Sequence, residues 1–217
     1  MRSVLLLGGV DATTNRRYLD AVTGRGLTPL VVDTRTGNWP GGVPSAPLEA
    51  IRITEIADQA ATWSGRHTIA GVWAPDPHYT DAAAVVADLL GLPSPGLRAA
   101  AACHHPHLRR RYLPEWSPVD PPAGPAYAVE SLSVQGVVRR VDVFDPEVTA
   151  GDRRLLVAAH RTVLARITFG TGAIRAAYRQ EPGRVPALTA LAVQATERPG
   201  AEDEVIGLCL GVPSLTG

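Results

Sequence analysis

Two short stretches hold the side chains best suited to moving protons. "APDPHYTD", residues 74–81, sets Asp76, His78 and Tyr79 within four positions, and "CHHPH", residues 103–107, crowds Cys103, His104, His105 and His107 into five. An imidazole beside a carboxylate is suited to proton transfer near neutral pH, so the first stretch reads as an acid–base set. Its competing reading is structural: Thr80 or Asp81 caps the next helix and the rest is a turn. In the second stretch cysteine and histidine are zinc-type ligands. However, adjacent His104 and His105 on one helix point about 100° apart, and Pro106 disrupts the geometry that an i, i+4 pair needs. No metal site is therefore expected. Two readings remain for "CHHPH": a cleft role for at least one histidine, or the polar start of a helix with Cys103 packed in the core. His160 lies among apolar residues at helical spacing and reads as a satisfied core histidine.

The rest of the chain must position these groups. With 217 residues and 45% hydrophobic content it has ample material for a buried core. The 21 basic and 21 acidic residues cancel, so no global field favours nucleic acid or an anionic membrane. Every basic residue is arginine, which excludes Schiff-base chemistry and a lysine clamp on a nucleotide phosphate from this chain. Cys103 and Cys209 form no CxxC pair, and the apolar run "SVLLLGGV" is short and strand-like, so a cytoplasmic protein with reduced thiols is expected.

That same run fits a strand buried on both faces that turns at a glycine pair into a helix. "LGGVDATT" lacks the spacing of a dinucleotide fingerprint and the lysine of a Walker loop, so it reads as a tight strand-to-helix turn. "TTNRRYLDAVTGRGL" follows as a helix with a threonine near its cap, then "TPLVVDT" as a strand. "PLEAIRITEIADQAATWSGRH" is helical in part, "TIAGVWAP" is a strand and "YTDAAAVVADLLGLP" an amphipathic helix closed by Gly91. Alternating strands and helices predict a parallel sheet covered on both faces. "APDPHYTD" falls at a strand's carboxyl end, where such sheets bind ligands. After Tyr112 the pattern changes. "LPEWSPVDPPAGPA" has five prolines in fourteen residues and reads as an extended connector. "AYAVESLSVQGVVRRVDVFD" follows as a hairpin turning at Gln135-Gly136, then a helix over "DRRLLVAAHRTVLARI" and two strands in "AAYRQEPGRVPALTALAVQA".

In this order the segments resemble the ATP-grasp superfamily, especially its carboxylate–amine ligases. "IAGVWAPDPHYTDAAAVVADLLGLPSPG" and "AAAACHHPHLRRRYLPE" are similar to the family's N-terminal domain, "YAVESLSVQG" to a strand entering a hairpin of its large domain, and "FGTGAIRAAYRQEPGRVPALTALAVQATERPG" to its terminal block. The resemblance implies a long nucleotide-covering segment between Pro114 and Tyr127, where this chain has only the connector. It places the family's Arg-Asp-Lys triplet on His104, His105 and Pro106, its first magnesium carboxylate on Arg175, its second on Ala192 and its asparagine on Gln194. It also places Glu130 close to the substrate cleft, against an alternative as an ordinary solvent-facing strand residue. Magnesium takes oxygen ligands, and arginine offers none. Arg175 instead suits a carboxylate or enolate on a small molecule, its alternative being a surface arginine.

The fold expected is α/β: a Rossmann-like parallel-sheet domain over residues 1–111, a connector over 112–126 and a reduced α+β antiparallel-sheet domain of ATP-grasp type over 127–217. The function expected is ATP-independent cyclisation, elimination or isomerisation of a small, anionic metabolite, within specialised metabolism by association with the arginine-only, alanine-rich composition. Asp76, His78, Tyr79, His104 and His105 would carry the proton transfers, with Glu130 and Arg175 binding substrate and no cofactor or metal required. A homodimer is expected, without nucleic acid or membrane partners. The alternative is a non-catalytic partner or small-molecule carrier assisting a full-length ligase.

Overall fold

The computed structural model describes residues 1–217 apart from 36, 38, 119, 121, 182, 194–200 and 212–217. Two compact units divide the chain: Met1–Ser94 with Glu197–Gly217, and Pro95–Thr196. The first is built on a parallel sheet of β1 (Arg2–Leu7), β2 (Thr28–Asp33), β3 (Ser45–Pro47) and β4 (Thr68–Trp73), in the order β3-β2-β1-β4. Val4 to Leu7 are wholly buried because helices cover both faces of β1. On one face α2 (Ile53–Ser64) and α3 (Thr80–Leu89) close over Leu5, Leu7, Leu30 and Val32 with Ile56, Ala60, Val86 and Ala87. Each aliphatic side chain buried here contributes roughly 1.5–3 kcal/mol. The other layer is α1 (Ala12–Thr23), packed on α7 (Ala201–Cys209).

The division differs from a boundary at residue 111. Helix α7 returns to the first unit, where Gly71 of β4 lets it approach so closely that an added Cβ would sit 3.1 Å from Cys209. Arg25 pairs with Asp203 and Arg17 with Glu202, tying the start of α7 to α1. Conversely, α4 (Leu97–His104) belongs to the second unit, where it packs along β8.

The second unit carries an antiparallel sheet in the order β6-β5-β7-β8. Its strands are β5 (Ala126–Val134), β6 (Val137–Val143), β7 (Gly172–Arg179) and β8 (Ala187–Val193). Gln135 and Gly136 form the hairpin turn with φ of 50° and 78°, the double left-handed geometry that matches the twist of adjoining strands. Helix α6 (Ala150–Arg166) is capped by Thr149 and packs against β5 and β6. The architecture is the α/β class expected, a parallel sheet followed by an antiparallel one.

Candidate functional site

In the first unit the loops leaving β1, β2 and β4 meet at the carboxyl edge of the sheet. The chain runs from β1 outward through β2 to β3, then crosses to the other side of β1 for β4. The crevice at that reversal is where open α/β sheets bind ligands. The Gly8-Gly9 turn keeps the crevice open by bringing backbone close to its walls. An added Cβ would lie 2.3 Å from the Tyr79 ring at Gly8 and 2.4 Å from Asn15 at Gly9, and Gly8 has φ +67°. Asp11, rather than a threonine, caps α1 by accepting from the Thr13 and Thr14 amides.

A cavity of about 440 Å³ occupies the crevice. Its walls are Val10 from the first loop, Thr34 and Arg35 from the second, Asp76 to Tyr79 from the fourth strand's loop, and Ile51 before α2. Asp76 is buried and lies between Arg35 and His78. One oxygen meets Arg35 Nη2 at 2.6 Å, and the other lies 2.8 Å from His78 Nδ1 and accepts the His78 amide at 3.0 Å. The short turn Pro77–Tyr79 sets this geometry, with Asp76 as its cap. Neither Thr80 nor Asp81 caps α3; its cap position is Tyr79, and the Thr80 hydroxyl donates instead to the Pro77 carbonyl at 2.7 Å. The His78 side chain is 74% exposed. An Nδ1–H donated to Asp76 leaves the basic lone pair on Nε2.

Tyr79 has a different position from its neighbours. It is fully buried; its hydroxyl accepts the Thr34 amide at 2.9 Å and lies 3.2 Å from the Thr34 hydroxyl and 3.3 Å from Asp33 Oδ1. Burial raises its phenol above the ordinary range, so it remains protonated and braces the β2 loop. Asp33, also buried, accepts from Trp39 Nε1 at 2.8 Å and from the Arg35 amide at 3.0 Å. Arg35 donates further to the Gly9 carbonyl at 2.7 Å. Arg35, Asp33 and Trp39 were not singled out from sequence. The available signal was "VVDTR" at the end of a second parallel strand, which topology sets beside the first.

The second unit holds the remaining candidates. "CHHPH" is not one helix but holds the end of one and the start of the next: α4 ends at His104, His105 is extended with φ −113° and ψ 103°, and Pro106 opens α5 (Pro106–Tyr112). Because His105 leaves the helix, the rings of His104 and His105 do not diverge but stack, with centroids 4.8 Å apart and planes 16° from parallel. His107 lies 5.6 Å from His105. Cys103 is partly buried rather than a full core residue.

Glu130 and Arg175 face each other in register across β5 and β7, with Arg175 Nε 3.8 Å from Glu130 Oε1. Glu130 is buried, unlike a solvent-facing strand residue, and Arg175 is about one-third exposed. Ala192 pairs with Arg175 across β8 and offers no donor atom; Gln194 lies outside the described residues. On the opposite face of β5, Ser131 Oγ lies 2.8 Å from His160 Nε2, and Tyr178 Oη lies 3.1 Å from its Nδ1. His160 is thus a satisfied core residue, and burial lowers its pKa to about 4.

No family model matches the sequence, and no curated protein matches it. Solved structures do. An L-amino acid ligase from Bacillus licheniformis has TM-score 0.75 and 13% identity, over 96% of this chain and 74% of that one. A phosphoribosylglycinamide synthetase from Anaerococcus prevotii has TM-score 0.77 and 7% identity, over 98% and 76%. A carboxyaminoimidazole ribonucleotide synthase from Aspergillus clavatus, complexed with ATP, has TM-score 0.69 and 10% identity, over 97% and 78%. The chain has the ATP-grasp fold of the carboxylate–amine ligases, and at these identities the likeness is one of fold. No helix among the described residues is long and apolar enough to cross a membrane.

Proposed function

We propose that the chain is an ATP-independent enzyme of small-metabolite metabolism that works by proton transfer at the carboxyl edge of its parallel sheet. The observation that carries this reading is the Asp76–His78 contact of 2.8 Å beside an open cavity, with the imidazole exposed. Asp76 sets the tautomer and orientation of the ring and balances the imidazolium that forms when Nε2 takes a proton. Arg35 grips the other carboxylate oxygen, which stops Asp76 from turning away from the ring. A proton removed from carbon and returned at another position gives an isomerisation; the same removal with departure of a leaving group gives an elimination. Tyr79 serves by bracing the β2 loop. In the second unit, His104 and His105 are proposed as further proton carriers, and Glu130 and Arg175 as anion-orienting residues.

The fold family's activity runs through Mg-ATP, and the residues present do not fit it. The chain has no lysine, and a guanidinium beside Glu130 stands where the resemblance sets the first magnesium carboxylate. Alanine stands at the second. A cation and a methyl group supply no ligand for a hard divalent ion.

Alanine variants at His78, His104, His105 and Arg175 test the proposal in turnover assays, with folding checked by circular dichroism. At least one severe loss is expected, and His78 is the foremost candidate. Full activity in all four would overturn the assignment of the proton transfers to these residues, whereas absence of turnover in the parent chain would favour the carrier reading.

A further inference from the structure

Three apolar residues of the cavity lining stand exposed, each on a different loop. They are Val10, Ile51 and Pro77, with Val10 46% and Ile51 42% exposed. The Val10 amide donates to Oδ1 of the buried Asn15 at 3.0 Å, which pins that loop. Apolar surface held open around one cavity gains by meeting an apolar body.

The charges of the lining cancel. Among the described residues its ionisable side chains are Arg35, Asp76, His78 and Tyr79. Arg35 pairs with Asp76 at 2.6 Å, Tyr79 keeps its proton, and His78 has to be neutral to act as a base. The lining is therefore neutral overall before proton transfer and carries one positive charge after it, on the imidazole. A substrate that enters uncharged becomes a monoanion on losing its proton, and the two new charges match. One that enters as a carboxylate would become a dianion against a single added cation. An imidazole takes a proton from carbon most readily beside a carbonyl, where the electron pair of the broken C–H bond spreads onto oxygen.

We infer, resting on the proposed Asp76–His78 site, that the part of the substrate held in this cavity is an uncharged carbonyl compound with an apolar body against Val10, Ile51 and Pro77. The C–H bond beside the carbonyl breaks, the proton goes to His78 Nε2 and the electron pair forms an enolate. Return of the proton at another position completes an isomerisation. Departure of a leaving group from the next carbon, as the enolate pair forms a C=C bond, completes an elimination. The cavity volume of about 440 Å³ lies within the roughly 300–1,000 Å³ of small-molecule sites.

The test is an NMR titration of the full chain with three probes: 4-phenylbutan-2-one, acetone and 3-phenylpropanoate. The last has the shape of the first, with a carboxylate oxygen in place of the ketone's methyl group. For a ligand of this size binding in the millimolar range is expected, at about 0.3 kcal/mol per non-hydrogen atom. The phenyl ketone should bind at least about tenfold more tightly than acetone, which lacks the body, and about fivefold more tightly than the carboxylate, which has to shed its hydration without gaining a net opposite charge. Val10→Asp and Ile51→Asp, at exposed positions and with folding checked by circular dichroism, should each weaken ketone binding about tenfold. No saturable binding of the phenyl ketone, equal or tighter binding of 3-phenylpropanoate, or unchanged affinity in both Asp variants would overturn the inference. Turnover is not read in this experiment, so its failure removes the substrate class and leaves the Asp76–His78 proposal standing.

Discussion

His78 and His160 have opposite surroundings. His78 stands on a loop at the end of a parallel strand, mostly exposed, with a carboxylate on Nδ1. His160 is wholly buried in the helix layer of the antiparallel sheet, with a hydroxyl on each ring nitrogen. Both are hydrogen-bonded, so bonding alone does not separate a reactive imidazole from a structural one. Access and the charge of the partner do. An exposed ring with a carboxylate partner can exchange protons with a substrate, whereas hydroxyls in a dry core do not compensate for an imidazolium's lost hydration, and burial holds His160 neutral down to about pH 4.

Removing each ring separates the two histidines most widely. His78→Ala is expected to lower turnover by about a hundredfold to ten-thousandfold while changing stability by no more than about 0.5 kcal/mol. His160→Ala is expected to do the reverse, costing about 2–5 kcal/mol in chemical denaturation, because it opens a cavity and leaves Ser131 and Tyr178 unbonded in the core. Equal stability losses in the two variants would break the distinction.

A pH series probes the same contrast with a somewhat smaller effect. His160 has a folded pKa of about 4, below its unfolded value, so between about pH 6.5 and pH 4 the unfolded chain binds more protons. Its contribution is therefore complete above about pH 6.5, falls as the pH drops and levels off below about pH 4, a loss of about 3 kcal/mol. Denaturation midpoints across this window should decline more steeply in the parent chain than in His160→Ala. The smallest effect is expected at Tyr79→Phe, about 1 kcal/mol in stability from the lost acceptor for the Thr34 amide, with turnover reduced far less than in His78→Ala.

Much of the fold was legible because hydrophobic period and turn chemistry are local. The buried run of β1, the Gln135-Gly136 hairpin and the helix around His160 each follow from a few neighbouring residues. So does the Asp76–His78 contact, which spans one intervening residue at a strand end. What depended on topology was not legible. Arg35 reaches Asp76 across 41 positions because β1 separates β2 from β4 in the sheet, and α7 joins the first unit although the sequence before it is strand-forming. The helix break inside "CHHPH" followed from Pro106 at the first position of α5, yet the stacking of His104 on His105 required the backbone angles of His105.

A chain of this fold that does its chemistry without Mg-ATP should not take up the nucleotide, which calorimetric titration of the full chain with ATP and magnesium measures. With no lysine in the chain and Arg175 beside Glu130, no saturable binding at micromolar ATP is expected, with or without the metal. Micromolar, magnesium-dependent binding would contradict it.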